Sequence, residues 1–299
     1  MEMQYKKIIN RNIQLDWLSG FFIIHMILGH ISQSQYASVE DCTFFAIVNR
    51  LFFFFMPWFF FKSGMFFREN NNYREFNKKS FKRLMIPFII FSVIGEPLYW
   101  IHLSFTEHAT IWQWYFASIK TIVTHGQMQG NGPLWFLFSL FLIRIFYNRC
   151  CKNNRIKILC IFLFLFLLCY LHTFSNVYPS ITHTLAGFIY FSAGDLMKNL
   201  QYNRYVFLIS LLLFLLIFIF VPIDSYVLYG DAVFPDKYYN YIYLYSLTAI
   251  IVYHNAFRMI PTCFFSMAST TKYWKEFHDL LCYPHFNINY MQNNMFRHI

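Results

Sequence analysis

Residues 205–222 read YVFLISLLLFLLIFIFVP, and residues 158–171 read ILCIFLFLFLLCYL, without a charged side chain in either stretch. About twenty apolar residues in an α-helix cover the hydrocarbon core of a bilayer, so such runs predict membrane-spanning helices. Similar apolar blocks recur along the chain, of which 58% is hydrophobic and only 13% charged. We therefore predict an all-α protein, a multi-pass transmembrane helix bundle.

The apolar blocks predict about eight transmembrane helices, over residues 15–32, 50–67, 84–103, 133–148, 156–172, 181–197, 205–222 and 238–256. Residues 110–125 are aromatic and amphipathic, which favours an interfacial or re-entrant segment. We expect one integral-membrane domain over residues 1–265 and a polar C-terminal tail over 266–299. That tail is interpreted either as a cytosolic extension or as the altered remainder of a truncated reading frame.

The basic residues predict the orientation of the bundle. With a cytosolic N-terminus, twenty of the 24 Lys and Arg residues fall in inside segments. Three fall outside, at Arg50, Lys120 and Lys237, and Lys62 lies within a helix. This bias follows the positive-inside rule, so we ascribe the net charge of +10 to topology and expect no nucleic-acid partner. The seven cysteines form no C-x-x-C pair, and we expect no metal site.

The first predicted helix contains DWLSGFFIIHMILGH over residues 16–30. In an ideal helix Asp16 and His30 lie about 40° apart around the axis and about 21 Å apart along it. Ser19 shares their face, and His25 lies opposite Asp16. An ionisable residue is costly inside a membrane helix, which makes Asp16 and His30 functional candidates. The alternative is that Asp16 caps the helix and His30 is hydrated at the interface.

Two further segments carry candidate binding residues. The basic segment 68–83 ends in KKSFKR and is either a positive-inside anchor or a binding site for a cytosolic polyanion such as a nucleotide phosphate. It contains no Gly-rich phosphate loop, so an ATPase is not supported. Residues 131–135 read NGPLW and open a later helix, where Pro and an interfacial Trp are both ordinary.

Taken together, four phrases resemble the integral-membrane acyltransferase 3 family. They are DWLSG with the following His30, MPWFFFKSGMFF over residues 56–67, Arg83 with Pro87, and GPLWFL over residues 132–137. Members of that family typically have about ten transmembrane helices. This chain departs from the family pattern at Ser19, where an Arg or Lys is usual, and in its tail, which lacks the last one or two helices.

The resemblance implies transfer of an acyl group, most often acetyl, from cytosolic acyl-CoA to a hydroxyl of a cell-envelope glycan or lipid-linked sugar. The enzyme would lie among the lipids of the bacterial cytoplasmic membrane. Two alternatives remain open, a transporter or flippase of envelope precursors that uses the His as a proton relay, and an inactive, degenerate family member.

The resemblance also implies roles for named residues. A neutral imidazole suits proton abstraction near pH 7, so His30 is the expected base. Asp16, the second catalytic candidate, is expected to be a structural or electrostatic partner of the basic residues at the cytosolic face. Three cations are expected to bind the CoA phosphates: Lys79, Lys82 and Arg83. Two residues are expected to line the acceptor side: Asn131 and Trp135.

Overall fold

The computed structural model describes residues 13–32, 48, 51–106, 111–171, 178–198, 203–220 and 239–259. The helices are α1 (Ile13–Ser32), α2 (Phe55–Met65), α3 (Tyr73–Ser80), α4 (Ile86–Thr106), α5 (Ile111–His125), α6 (Trp135–Cys150), α7 (Asn154–Leu171), α8 (Pro179–Met197), α9 (Arg204–Phe220) and α10 (Tyr239–Met259). A π-helical segment, Phe81–Met85, joins α3 to α4, and a 3₁₀ turn, Gly132–Leu134, leads into α6. The described residues contain no β-strand, which confirms the all-α prediction for that part of the chain.

Two stretches of the described chain are long and apolar enough to cross a membrane, judged by length and composition. They are Tyr73–Ile101 and Asn154–Leu171. Two shorter apolar helices, Gln14–Leu28 and Arg204–Phe220, fall below that length. Each of the eight predicted spans overlaps a helix of the structure, whereas the orientation of the bundle and the tail over 266–299 lie beyond what the described residues test.

Prolines account for the largest differences between predicted and observed helix limits. The predicted helix over residues 50–67 is interrupted by a turn at Phe53 and Phe54, and α2 begins at Phe55. Proline lacks an N–H, and its ring collides with the carbonyl four residues earlier, which for Pro57 belongs to Phe53. The turn removes that collision and leaves Pro57 in the first turn of α2, where proline is tolerated.

The same argument applies to the π-helical segment. Pro87 would place its ring against the carbonyl of Arg83 in a regular α-helix. The chain instead widens over Phe81–Met85, where the N–H of Ile86 donates to the carbonyl of Phe81. The basic segment 68–83 lay between two predicted helices, and the structure shows that it is helical from Tyr73 onward and continuous with α4.

Helices α2 and α8 pack most closely, and two glycines make that contact. A Cβ added at Gly64 would lie 1.9 Å from the carbonyl oxygen of Phe191, and one added at Gly194 would lie 2.0 Å from that of Phe61. Any side chain at either position would collide with the backbone of the partner helix. Small residues that allow such close approach are typical of helix contacts in membranes, where lipid offers no hydrophobic drive for association.

Helix α8 forms the interior of its part of the structure. Twelve of its nineteen residues are buried, including Phe188 and Phe191. The ring of Phe188 contacts Phe146 of α6 and Phe164 of α7, with centroid distances of 5.7 and 4.5 Å. Helices α2, α6 and α7 are thereby arranged around α8.

The chain divides into two compact units, one formed by Met1–Phe21 with His254–Ile299 and the other by Phe22–Tyr253. In the first unit the side-chain amide of Gln14 donates to the backbone carbonyl of Arg258 at 3.4 Å. The second unit contains the α2–α8 contact, the π-helical segment and the charged clusters described below.

Candidate active site

The predicted catalytic residues lie on α1. Asp16 is half-buried in the first turn of the helix, and His30 lies in its last turn. The side chain of His30 is outside the described part of the structure. Ser19, at the position where a basic residue was expected from the family pattern, is buried and donates its hydroxyl to the carbonyl of Leu15 at 2.7 Å. The roles of Asp16 and His30 remain predictions.

His25, the other imidazole of α1, is a packing residue. Its buried ring lies 5.5 Å from Phe52 and 5.7 Å from Phe55, in tilted and edge-on contacts. Phe22, three residues before His25 on α1, makes similar ring contacts with Phe54 and Trp58. This arrangement agrees with the position of His25 on the helix face opposite Asp16.

The three cations expected to bind CoA phosphates differ in their surroundings. Lys79 forms an ion pair of 2.6 Å with Glu75, one helical turn earlier on α3, and both side chains are exposed. The hydrogen bond and the charge of Lys79 lower the pKa of Glu75. Lys82 and Arg83 are exposed on the π-helical segment, and no described carboxylate lies within ion-pair distance of either.

Arg144, on α6, is a further basic residue beside this group. Its guanidinium lies over the rings of Phe67 and Phe76, at 5.9 and 5.5 Å from their centroids. The π-helical segment packs against α6, and the rings of Phe81 and Phe141 meet at 6.1 Å.

A buried carboxylate, Asp195 of α8, joins three helices. It accepts hydrogen bonds from the hydroxyl of Tyr147 on α6 at 2.7 Å and from the ammonium groups of Lys157 and Lys198, each at 2.6 Å. Asp195 is 1% exposed, whereas the side chains of Lys157 and Lys198 are 14% and 33% exposed. Two cations share one carboxylate, so the group carries a net positive charge and fixes α6, α7 and α8 together.

The segment between α2 and α3 is tied to α6 by amide hydrogen bonds. The backbone N–H of Asn70 donates to the side-chain oxygen of Asn148 at 3.0 Å, and the Asn148 amide donates back to the Asn70 carbonyl at 3.0 Å. Glu69 forms an ion pair with Lys152, and this hydrogen bond raises the pKa of Lys152. The backbone next to Phe67 is thereby held in one position.

The two residues expected to line the acceptor side occur close together near the start of α6. Asn131 donates its side-chain amide to the carbonyl of Phe91 on α4 at 3.2 Å. Trp135 is buried, and its ring lies 4.3 Å from that of His183 on α8. His183, which the sequence analysis did not select, therefore lies in contact with one of the two predicted acceptor residues.

Glu96, in α4, fixes the segment before Asn131. Its carboxylate accepts a hydrogen bond from the hydroxyl of Ser118 at 2.7 Å and another from the backbone N–H of Gly130 at 3.0 Å. Gly130 is packed so closely against α4 that an added Cβ would lie 2.4 Å from the carbonyl oxygen of Gly95. Glu96 thus positions the backbone from which the side chain of Asn131 extends.

Sequence reasoning missed three buried polar residues, Glu96, His183 and Asp195, and the half-buried Arg144. The sequence did contain a signal for Glu96 and Asp195, since a carboxylate within an apolar run is costly unless it has partners. Arg144, Lys157 and Lys198 were used only to predict the orientation of the helices. Their partners are distant in the sequence, and no short motif connects them.

Comparison with known proteins identifies the class of this helical assembly. A family model described as an acyltransferase domain matches residues 12–274. Because that match covers most of the chain, the protein belongs to the acyltransferase 3 family, as the phrases around Asp16, residues 56–67, Arg83 and residues 132–137 predicted. The family is membrane-associated, in agreement with the apolar helices. No curated protein and no solved structure matches the chain.

Proposed function

We propose that this protein transfers an acyl group, most often acetyl, from acyl-CoA to a hydroxyl of a cell-envelope glycan or a lipid-linked sugar. The observation that carries the proposal is the family match over residues 12–274, which supports acyltransferase activity in general. The identity of the donor and of the acceptor is inferred from the resemblance to the family, and the basic and polar residues of the two groups of candidate sites are then assigned to them.

The reaction needs a base and a route for the leaving thiol. The acceptor hydroxyl oxygen attacks the thioester carbonyl carbon, a C–O bond forms, the C–S bond breaks, and CoA leaves as a thiolate. The hydroxyl proton passes to His30 and then to that thiolate, which gives free CoA. A neutral imidazole has a pKa suited to both transfers near pH 7.

The donor end of the site is assigned to the basic residues around the π-helical segment. Lys82 and Arg83 are exposed and have no described carboxylate within ion-pair distance, so their charge is available to phosphate oxygens. Lys79 contributes less because Glu75 already balances its charge. A π-helical segment within a longer helix is frequently found at functional sites, which supports the same assignment.

The acceptor end is assigned to the group around Asn131, Trp135 and His183. The Trp135 ring lies against His183, and indole and imidazole rings are both suited to contact a sugar through their faces and N–H groups. Glu96 holds the neighbouring Gly130 backbone in place.

We further propose a multi-pass arrangement in the bacterial cytoplasmic membrane, with the N-terminus and the basic segment 68–83 in the cytosol. Lys78 and Trp112 are both exposed, so single cysteines placed there in a cysteine-free chain are accessible probes. An impermeant thiol reagent added to intact cells should label position 112 and spare position 78. Labelling with the opposite preference would contradict the orientation.

The central test is acyl transfer by the full chain in proteoliposomes, with radiolabelled acetyl-CoA and a preparation of envelope glycans. His30→Ala should reduce transfer by about 10²–10⁴-fold, the range typical of a lost general base. His25→Phe is the matched control, because it keeps a ring against Phe52 and Phe55. An active wild type that is indifferent to His30→Ala would contradict the proposed base.

A second candidate, an inactive family member, is favoured by one observation. Ser19 bonds to the carbonyl of Leu15 and supplies no cation on the face shared with His30. A wild type that fails to transfer acyl groups, together with an active Ser19→Arg variant, would support that candidate. If the wild type binds no acetyl-CoA but moves envelope precursors across the bilayer, a transporter is the better description.

A further inference from the structure

Residues 126–132 lie between α5 and the start of α6 and read GQMQGNG. We call them the amide segment, because three of their side chains are carboxamides: Gln127, Gln129 and Asn131. Each of the three is partly exposed. A carboxamide has two hydrogen-bond donors and an acceptor oxygen, a combination that can pair with hydroxyl groups in either direction.

Helix α4 holds the amide segment through one inward stripe. Phe88, Ser92 and Glu96 follow each other at intervals of four residues and are buried, whereas most residues between them are exposed. A carboxylate in so apolar a helix is costly, which makes Glu96 a functional candidate. Its hydrogen-bond partners are the hydroxyl of Ser118 at 2.7 Å and the backbone N–H of Gly130 at 3.0 Å, and neither is a cation. Glu96 therefore links the amide segment to α4 and α5.

Asn131 presents its side-chain oxygen outward from this attachment. It stands at the N-cap of the 3₁₀ turn, where an Asn side chain commonly bonds to the backbone of its own helix, yet it makes no such bond. Its amide group donates instead to the carbonyl of Phe91 at 3.2 Å, and its oxygen receives no hydrogen bond from the described residues. Beside it, a Cβ added at Gly132 would have the amide nitrogen of Gln127, 4.0 Å away, as its nearest neighbour. A ligand hydroxyl thus has both an open acceptor and space.

The other end of the amide segment is fixed by α5 and α8. The hydroxyl of Ser180 on α8 donates to the carbonyl of Val123 on α5 at 2.8 Å. Gly126 then leaves α5 with a φ of 74°, a conformation that favours glycine, and its N–H donates to the carbonyl of Ile122 at 2.9 Å. With both ends held, little order remains to be gained when a ligand binds, which favours affinity.

We propose that the amide segment recognises the acceptor and accepts an uncharged, hydroxyl-rich sugar, with Glu96 as the positioning residue that fixes it. The inference rests on the proposed function. Between Lys120 and Arg144 the sequence has no Asp, Glu, Lys or Arg, so the segment brings no cation of its own to pair with an acidic sugar. The charged group that contacts it is the Glu96 carboxylate, which repels anions.

The substrate class is tested by acetyl transfer from radiolabelled acetyl-CoA by the full chain in proteoliposomes. The probes are host envelope glycans, separated by anion exchange into a neutral pool and an anionic pool. Label should enter the neutral pool. Label that enters mainly the anionic pool would overturn the proposed substrate class and leave acyl transfer itself standing.

The role of the segment is tested by comparing the KM for the neutral pool with the KM for acetyl-CoA. Asn131→Ala should raise the glycan KM about two- to tenfold, as expected for the loss of a hydrogen bond, and leave the acetyl-CoA KM unchanged. Glu96→Leu removes both bonds of the carboxylate and should raise the glycan KM about tenfold or more. Glu96→Gln can still accept from Gly130 and donate to the Ser118 oxygen, so its glycan KM should stay within about twofold of the wild type. Asn153→Ala, an exposed amide beyond α6, is the control and should change neither KM.

The outcomes separate this inference from the proposed function. Equal increases of both KM values in Asn131→Ala and Glu96→Leu would show a general structural effect and overturn the recognition role. If Glu96→Leu does not fold, Asn131→Ala decides, and an unchanged glycan KM there overturns the inference. If the wild type transfers no acetyl group, the proposed function fails, and binding of the neutral pool to the full chain is measured instead. Binding that Asn131→Ala weakens would support the recognition site, and absence of binding would overturn it.

Discussion

Helices α7 and α8 are neighbours with opposite compositions and opposite surroundings. From Ile158 to Leu171, α7 is a run of Leu, Ile, Phe, Cys and Tyr, yet Leu168 is its one buried residue. Helix α8 includes Ser180, His183, Ser192 and Asp195, and these polar residues are buried with most of the helix. The more uniformly apolar helix is the exposed one.

The difference shows which property selects the interior of this fold. In a bilayer, lipid chains solvate an apolar side chain as well as protein does, so apolarity does not draw α7 inward. Helix α8 is held inside by Gly194, which permits backbone contact with α2, and by Asp195, which needs partners in a medium that supplies none. Small and polar residues therefore determine the interior, and long aliphatic runs form the outer surface.

The largest loss of stability is expected when a phenylalanine of α8 is replaced by alanine, and the same replacement on α7 is the comparison. Phe191 of α8 is fully buried against Phe67 and Tyr147, whereas Phe162 of α7 is 65% exposed. Phe191→Ala should destabilise the protein by about 3–5 kcal/mol, the usual cost of a buried Phe-to-Ala change. Phe162→Ala should cost under about 0.5 kcal/mol. Thermal unfolding in detergent, followed by tryptophan fluorescence, compares them, and equal losses would contradict the assignment of inner and outer helices.

The next effect concerns the backbone contact between α2 and α8. Gly194→Ala adds a Cβ that would lie 2.0 Å from the carbonyl oxygen of Phe61, so the helices must separate. We expect a loss of about 3 kcal/mol, at the upper end of overpacking costs. Gly20→Ala is the control, because its Cβ would meet no atom within 4 Å and alanine favours a helix. The unfolding midpoint should fall for Gly194→Ala and not for Gly20→Ala. An unchanged midpoint for Gly194→Ala would contradict the backbone contact between α2 and α8.

A smaller effect is expected from neutralising Asp195. Asp195→Asn keeps a partner for Tyr147 but removes the charge that holds Lys157 and Lys198. Because both lysines are partly exposed, we expect a loss of about 1–2 kcal/mol rather than the full cost of a broken buried pair. Glu75→Gln, which breaks an exposed ion pair with Lys79, should leave the unfolding midpoint unchanged. Similar losses in both variants would remove the distinction between inner and outer charges.

The smallest expected effect is a difference in thiol reactivity at the boundary between α6 and the segment leading to α7. Cys150 is exposed and Cys151 is buried, and burial raises the pKa of the Cys151 thiol to about 12. Since the thiolate is the reactive form, a chain that retains only Cys150 should react with maleimide at pH 7 much faster than one that retains only Cys151. At pH 9 Cys151, still protonated, should remain slow to react. Equal rates would contradict the burial of Cys151.

Apolar runs and prolines made most of the fold predictable from the sequence. Each predicted span overlaps an observed helix, and the four phrases found the family that the residues 12–274 match. The helix limits near Pro57 and Pro87 differed because proline changes the hydrogen bonding of the preceding turn. A disturbed turn before each proline could therefore be predicted from the local sequence. The sequence did not show that the disturbance would be a turn before Pro57 and a π-helical segment before Pro87.

The interior of the candidate sites was less predictable. Asp195 and Lys157 are 38 residues apart, and Glu96 and Gly130 are 34 apart, so their pairing depends on how the helices pack. Periodicity gives the face of one helix but not the identity of its neighbour. Arg144 shows the consequence, because its contacts with the rings of Phe67 and Phe76 depend on how α6 packs against the chain between α2 and α4.

The widened turn at Phe81–Met85 also determines how an extra residue is tolerated at this point of the chain. A π-helical turn accommodates one residue more than an α-helical turn, whereas in a regular α-helix one residue corresponds to about 100° of rotation. Loss of a single residue from this turn, with return to α-helical geometry, would therefore leave the polar face of α3 in nearly the same direction relative to α4, because both kinds of turn complete about one rotation. A deletion in the regular part of α4 has no wider turn to absorb it and would rotate that face by about 100°, so the two deletions have opposite consequences for the direction in which α3 presents its charges.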